Sequence, residues 1–234
     1  MTHKSKLPEV VVGRNKKLKS DTKYKIKHVV KTIRCDNTGE NKSLEKLCDS
    51  EQLGVSFEYT GPGSPQYNGR VERKFATLYG RTRAMLNSAK LPIAMRNGVW
   101  TEAAKLATDI EDIIVTDLKE RSAYDKFYET TEVDRMKYLK PFGAMEIVEI
   151  NKDRNMRGKL TDRGMPCMYL GRAENHSNDV YRFLNLKTNR IILSRDFRWL
   201  NKSYGEWKGI DVTNIKEISK DLYDDDEYEW DEQV

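Results

Sequence analysis

The sequence predicts an α/β first part followed by a small, twisted β-barrel. Three observations carry that reading. Apolar residues recur at helical spacing in three stretches of the first half, with two short β-branched or aromatic runs between them. After Tyr138 the pattern changes to short alternating runs separated by turn-forming residues. Between the two regimes, residues 121–137 are polar and lack a firm period, which marks a connector. The expected division is a first domain over 1–120, the connector over 121–137, a β-domain over 138–205 and an acidic tail over 206–234.

In chain order, Leu7 to Lys19 is a weak helix, because Gly13 and Asn15 fall inside it. Lys25 to Arg34 (KIKHVVKTIR) reads as a strand that ends just before Asp36. Ser43 to Leu53 places Leu44, Leu47 and Cys48 on one face and predicts a helix capped by Ser43. Val55 to Thr60 is a second short strand. Gly61, Pro62, Gly63 and Pro65 then break regular structure. Asn68 is the expected cap of a helix running to about Asn87, with Phe75, Leu78, Tyr79, Thr82, Met85 and Leu86 as its buried stripe. Pro92 to Val115 predicts a further helix that turns Trp100, Ala103, Ala104 and Ala107 inward. Beyond the connector, AMEIVEI, PCMYLGR, VYRFLNL and RIILSRDFRWL give four or five strands in about sixty residues.

Composition narrows the classes. The chain has 234 residues, 38% of them apolar and 34% charged, and no run of the roughly 18 apolar residues that a membrane helix requires. The basic N-terminus lacks the apolar core of a secretion signal. Cys35, Cys48 and Cys167 are odd in number and unpaired in spacing, as expected of reduced thiols in an intracellular protein. His3, His28 and His176 are equally scattered, so no zinc site is expected. The net charge of +5 hides an asymmetry: Asp221 to Glu232 holds eight acidic residues and no basic one, leaving a balance of +13 elsewhere. A basic body suits a polyanionic partner; the acidic end reads equally as a self-repelling, solvated tail or as a spacer.

Two carboxylates stand out for their surroundings. Asp36 follows a predicted strand in IRCDNTGEN. Glu72 opens a predicted helix in NGRVER, where Arg70, Arg73 and Lys74 flank it. Thirty-five residues lie between the two, a spacing that says little in a chain with 37 acidic residues. Each carboxylate also has a structural role open to it. An Asp-Asn pair after a strand makes a turn, and an acidic residue in the first turn of a helix complements its dipole. After a strand and on a helix, the two can instead converge on a divalent cation.

The segments IRCDNTGEN and GVSFEYTGPGSPQYNGRVERKFATLYGRTRAML, with the alanine-rich stretch after Trp100, resemble the integrase core of copia-type retrotransposon polyproteins. PFGAMEIVEI, KLTDRGMPCMYLGRAENHSNDVYRFLNLKTNRIILSRDFRWL and NKSYGEW resemble the SH3-like domain that follows that core. The similarity runs from about Ile26 to Trp207, and its most specific element is Pro62, Pro65, Gln66, Asn68, Gly69, Glu72 and Arg73. It implies an α/β chain made of an RNase H-like integrase core, truncated at its N-terminus, and a small SH3-like β-barrel. It implies metal-dependent DNA strand transfer at an Asp, Asp, Glu triad holding Mg²⁺ or Mn²⁺, with Asp36 as the second aspartate and Glu72 as the glutamate. Asn68, Arg70, Arg73, Lys74, Arg81 and Arg83 become the expected DNA-contacting residues, a solvated basic helix face being the alternative for the cations. DNA, further copies of the chain or other polyprotein segments are the implied partners, with no membrane, and the nucleus is the implied compartment.

The resemblance also departs from its pattern. The first aspartate of such a triad belongs to an opening strand well upstream of Asp36, and Asp21, in the polar stretch KLKSDTKYK, is not on one. A polyprotein segment inactive by itself is the expectation, with a non-enzymatic nucleic-acid-binding module as the alternative. Val29, Val30 and Ile33 are then expected to lack part of their buried surroundings.

Overall fold

The computed structural model describes residues 6–20, 30–61, 69–115, 121–129, 135–149 and 162–210. They form two compact units, one from residues 1–77 and 110–134, the other from residues 78–109 and 135–234. The expected cap Asn68, the residues Asp21 and Val29, and the acidic stretch 221–232 lie outside the described residues.

The first unit is built on a βαβ arrangement. Helix α1 (Leu7–Ser20) forms despite Gly13 and Asn15, with Val12 and Asn15 buried. Strand β1 (Thr32–Cys35) is shorter than Lys25 to Arg34; Val30 and Lys31 precede it outside the strand and 25–29 lie outside the described residues. Helix α2 (Gly39–Ser50) begins four residues before the expected start, behind an extended Thr38. Ser43 is therefore not the cap; its hydroxyl bonds back to the Gly39 carbonyl at 2.9 Å. The helix stops without a glycine: Gln52 takes φ 50°, and the Leu53 and Gln52 amides bond to the carbonyls of Cys48 and Asp49 at 3.0 Å each. That is a Schellman ending, and it turns Leu53 into the core. Strand β2 (Ser56–Tyr59) lies parallel to β1, with Ile33 opposite Phe57 and Cys35 opposite Tyr59.

This pair has two unlike faces. Ile33 and Phe57 pack against a cluster of Val12, Leu44, Cys48, Leu53 and Val55. On the other face Arg34 donates to Glu58 at 2.7 Å between exposed side chains. Most parallel sheets are covered on both faces; among the described residues this one is covered on one.

Helix α3 (Gly69–Ser88) and helix α4 (Ile93–Ile113) run through both units. The stripe expected on α3 is only partly buried: Thr82 and Leu86 are inside, while Phe75 and Tyr79 are 51% and 48% exposed. Its helical period is real, but burial is confined to the C-terminal half. On α4 Ala103 and Ala107 are buried, and Trp100 and Ala104 are half-buried. Between the helices Lys90 takes φ 52°, and the Leu91 amide reaches the Leu86 carbonyl, a second Schellman ending without glycine. Helix α5 (Ala123–Tyr128), capped by Ser122, and a 3₁₀ turn (Arg135–Tyr138) occupy the connector.

The second unit holds an antiparallel sheet of β3 (Ala144–Glu149), β4 (Gly164–Arg172), β5 (Tyr181–Asn185), β6 (Arg190–Ser194) and β7 (Phe197–Ser203), in the order β6-β5-β4-β3-β7. The run RIILSRDFRWL, read as one stretch, is two strands. The sheet coils strongly. Phe197 on β7 meets Phe183 on β5 at 5.1 Å between ring centroids, although β3 and β4 separate those strands in the hydrogen-bonded order. Three strand spacings laid flat would hold them roughly 14 Å apart. Yet β6 and β7 do not pair, so the expected barrel is not closed. Tyr169, Tyr181, Phe183, Phe197 and Trp199 fill the concave side edge to face.

Glycines let the helices approach the other side. At Gly143, with φ 77°, a side chain would collide with Ala89, and Gly171 lies at a register shift of β4 where a Cβ would touch Leu106 at 3.8 Å. Arg182 on β5 pairs with Glu102 on α4 at 2.7 Å. The chain leaves β7 directly into α6 (Tyr204–Lys208), where Ser203 and Glu206 form a capping box.

Candidate nucleic-acid and carboxylate site

Asp36 stands immediately after β1, at the C-terminal end of the parallel pair. Brought there by the β1–β2 register, it starts the turn into α2. Its Oδ1 accepts from the Thr38 hydroxyl at 3.1 Å and from Asn41 Nδ2 at 2.5 Å, and Asn41 also donates to the Asp36 carbonyl at 3.1 Å. The chain bends at Asn37, and the Thr38 and Asn41 side chains hold the Asp36 carboxylate against the first turn of α2.

Three residues that sequence reasoning did not single out share this end of the strands. Tyr59, in register with Cys35, donates its hydroxyl to Glu45 Oε2 at 2.7 Å. That hydrogen bond to a carboxylate, helped by burial, pushes the Tyr59 pKa up to about 12. The Cys35 thiol is raised by burial, then by the nearby Asp36 and Glu45 carboxylates. It is therefore a poor nucleophile. Asn41 and Glu45 stand one turn apart on α2, and the β1–β2 register brings Tyr59 of β2 to Glu45.

Glu72 is exposed in the first turn of α3 and belongs to the same compact unit as Asp36. Among the described residues no group of three or more His, Cys, Asp or Glu side chains is placed to hold a metal ion. Arg70 is exposed; Arg73 donates to the Gly69 carbonyl at 3.1 Å, and Lys74 is ion-paired with Glu111. Arg81 and Arg83 are exposed but fall in the second unit.

The β-domain is basic. Residues 135–210 contain sixteen Lys and Arg against eight Asp and Glu. One of the eight, Glu146, is fully buried on β3, between Cys167 and Trp199 in the register, with no hydrogen-bond partner among the described residues. Burial pushes its pKa up to about 9, so it is uncharged at neutral pH. Burial, then the Glu146 carboxylate, pushes the Cys167 thiol up to about 12. Exposed Arg190, Arg195, Arg198 and Lys202 lie along β6, β7 and the turn between them.

Comparison with known proteins gives these features a context. Residues 148–213 match the retroviral polymerase SH3-like domain family. The chain is 31% identical over 169 residues to the retrovirus-related Pol polyprotein from transposon TNT 1-94 of Nicotiana tabacum, covering 71% of this chain and 12% of that protein. It is 25% identical over 178 residues to the Pol polyprotein from transposon RE1 of Arabidopsis thaliana, covering 72% of this chain and 11% of that protein. The chain thus spans about an eighth of these relatives. A simian T-cell lymphotropic virus intasome in complex with PP2A regulatory subunit B56 gamma matches over 81% of this chain and 61% of that chain, at 14% identity and a TM-score of 0.39, too low to bear on the fold. Among the described residues no helix is long and apolar enough to cross a membrane. In sequence the chain is a segment of a copia-type retrotransposon Pol polyprotein, carrying over residues 148–213 a retroviral polymerase SH3-like domain.

Proposed function

We propose that this chain is the integrase-derived part of such a polyprotein and that its own activity is to hold DNA. The observation that carries the reading is the 31% identity to a Pol polyprotein over 71% of the chain. The basic excess of the β-domain and the exposed Arg70 and Arg83 support DNA as the partner. Cations of this kind bind phosphates by releasing counterions, without sequence preference.

In this reading the first part derives from an RNase H-like core, acts in the nucleus, and contributes Asp36 and Glu72 to a site for Mg²⁺ or Mn²⁺. Both are hard oxygen donors of the kind those ions take, and the ions would balance charge on the attacking and leaving oxygens of a phosphodiester. The described residues fall short of that site, since they gather no third donor. Strand transfer then needs a carboxylate from elsewhere in the polyprotein. What this chain's residues do is narrower: Thr38 and Asn41 orient Asp36, and the arginines bind phosphate.

A titration of labelled duplex DNA across salt concentrations tests the reading. The affinity falls steeply and linearly on a log–log plot, and replacing Arg70, Arg73 and Arg83 together by Ala weakens binding to all sequences alike. A flat salt response overturns it.

A further inference from the structure

The two edges of the five-stranded sheet are built differently. At one edge β7 exposes Arg198 and Lys202, shifts register against β3 and runs straight into capped α6. Charge, irregularity and cover are the usual ways a protein blocks unwanted strand pairing. At the other edge β6, reading RIILS, has β5 as its one strand neighbour among the described residues. It keeps an unbroken register with β5 over all five residues. Its outer side chains, Ile191 and Leu193, are 44% and 48% exposed. They sit opposite Leu184 and Arg182, and Arg182 is held by Glu102 of α4.

We propose that β6 is the docking edge for a second copy of this chain, the two strands pairing antiparallel about a two-fold axis at Ile192. The sequence is self-complementary in that register. Ile191 faces Leu193 twice, Arg190 faces Ser194 twice, and Ile192 faces itself. No like charges meet, and each exposed apolar side chain gains an apolar cross-strand partner. Sliding by one step in either direction that keeps the outer faces together shortens the pairing to three residues and moves Leu193 or Ile191 past the end of the partner strand. Pairing of a heterologous strand would not need this symmetry, which is why a second copy is the occupant. A five-residue edge makes a small interface, below ~1,200 Å² in total, so the dimer is concentration-dependent.

The test uses the full chain with Cys35→Ser, so that the half-exposed thiol does not interfere. Sedimentation velocity over rising concentration shows a monomer–dimer equilibrium, and Ile191→Lys with Leu193→Lys shifts it to monomer while the circular dichroism melt is retained. Independently, Ile192→Cys forms a disulfide-linked dimer under mild oxidation, because position 192 faces itself, and Ser194→Cys does not. A monomer at every concentration, a dimer indifferent to the lysines, or equal cross-linking at 192 and 194 overturns the proposal.

Discussion

The β1–β2 pair and the five-stranded sheet solve the same problem with very different means. The first is two parallel strands of four residues each, with one face on a small aliphatic cluster and a polar ion pair on the other. The second has an aromatic cluster on its concave side and helix residues such as Leu106 and Ala89 close to its other side. A two-stranded sheet is marginal without help, whereas three or more strands with an apolar face sustain themselves. Asp36 stands at the end of the thinner scaffold, and much of the basic charge is on the thicker one. The proposed roles of holding DNA and of joining it would therefore rest on unequal scaffolds.

The largest expected effect is on the thick side. Phe183→Ala removes a fully buried ring in contact with Tyr169, Tyr181, Phe197 and Trp199, and should cost about 3–5 kcal/mol in urea denaturation. Phe57→Ala, at a half-buried site of the thin pair, should cost clearly less. Equal losses would erase the contrast.

Glu146 sharpens it. Its folded pKa of about 9 lies above the ordinary value of 4.5, so the folded state holds a proton that the unfolded state loses between them. Its contribution is fully present below pH 4.5 and is lost as pH rises through 9, at up to about 1.4 kcal/mol per pH unit. Stability of the β-domain should therefore decline as pH rises from about 4.5 to about 9. Glu146→Gln should flatten that decline, as read from denaturation midpoints between pH 5 and 9; an unchanged profile would place the carboxyl in water.

Smaller effects bound the comparison. Ser203→Ala removes half of the α6 capping box and should cost about 1 kcal/mol. Arg34→Ala breaks an ion pair between side chains 62% and 53% exposed and should change stability by less than about 0.5 kcal/mol, with high salt abolishing even that. A larger loss would mean that the polar face of the β1–β2 pair is covered.

What could be read from the residues follows from how local each signal is. The β-domain was legible because alternation and turn residues are local, and its strands appear where the alternating runs stand, RIILSRDFRWL excepted. Its open edge was not, since strand order is set by contacts between distant residues. The end of α2 escaped because Gln52 takes positive φ without a glycine to announce it, whereas α3 ends at Ser88, beside the expected Asn87. Ser43 looked like a cap because it precedes the apolar stripe of α2, but Gly39 and Glu40 extend that helix upstream on backbone bonding alone. On α3 periodicity reported a stripe, and only half of it found cover. Asp36 was legible by its neighbours in sequence, and its partners Thr38 and Asn41 are local; the nearby Tyr59–Glu45 bond depends on strand register. Glu146 was hidden within an alternating run whose inward positions are otherwise apolar.

The central proposal is that this chain holds DNA and does not transfer strands by itself, its described residues gathering no third metal donor. A strand-transfer assay on labelled oligonucleotides with Mg²⁺ or Mn²⁺, run on the chain and on Glu72→Gln under conditions where both bind DNA, tests it most directly. The account predicts product at the same background level for both; product from the chain that disappears in Glu72→Gln would contradict it.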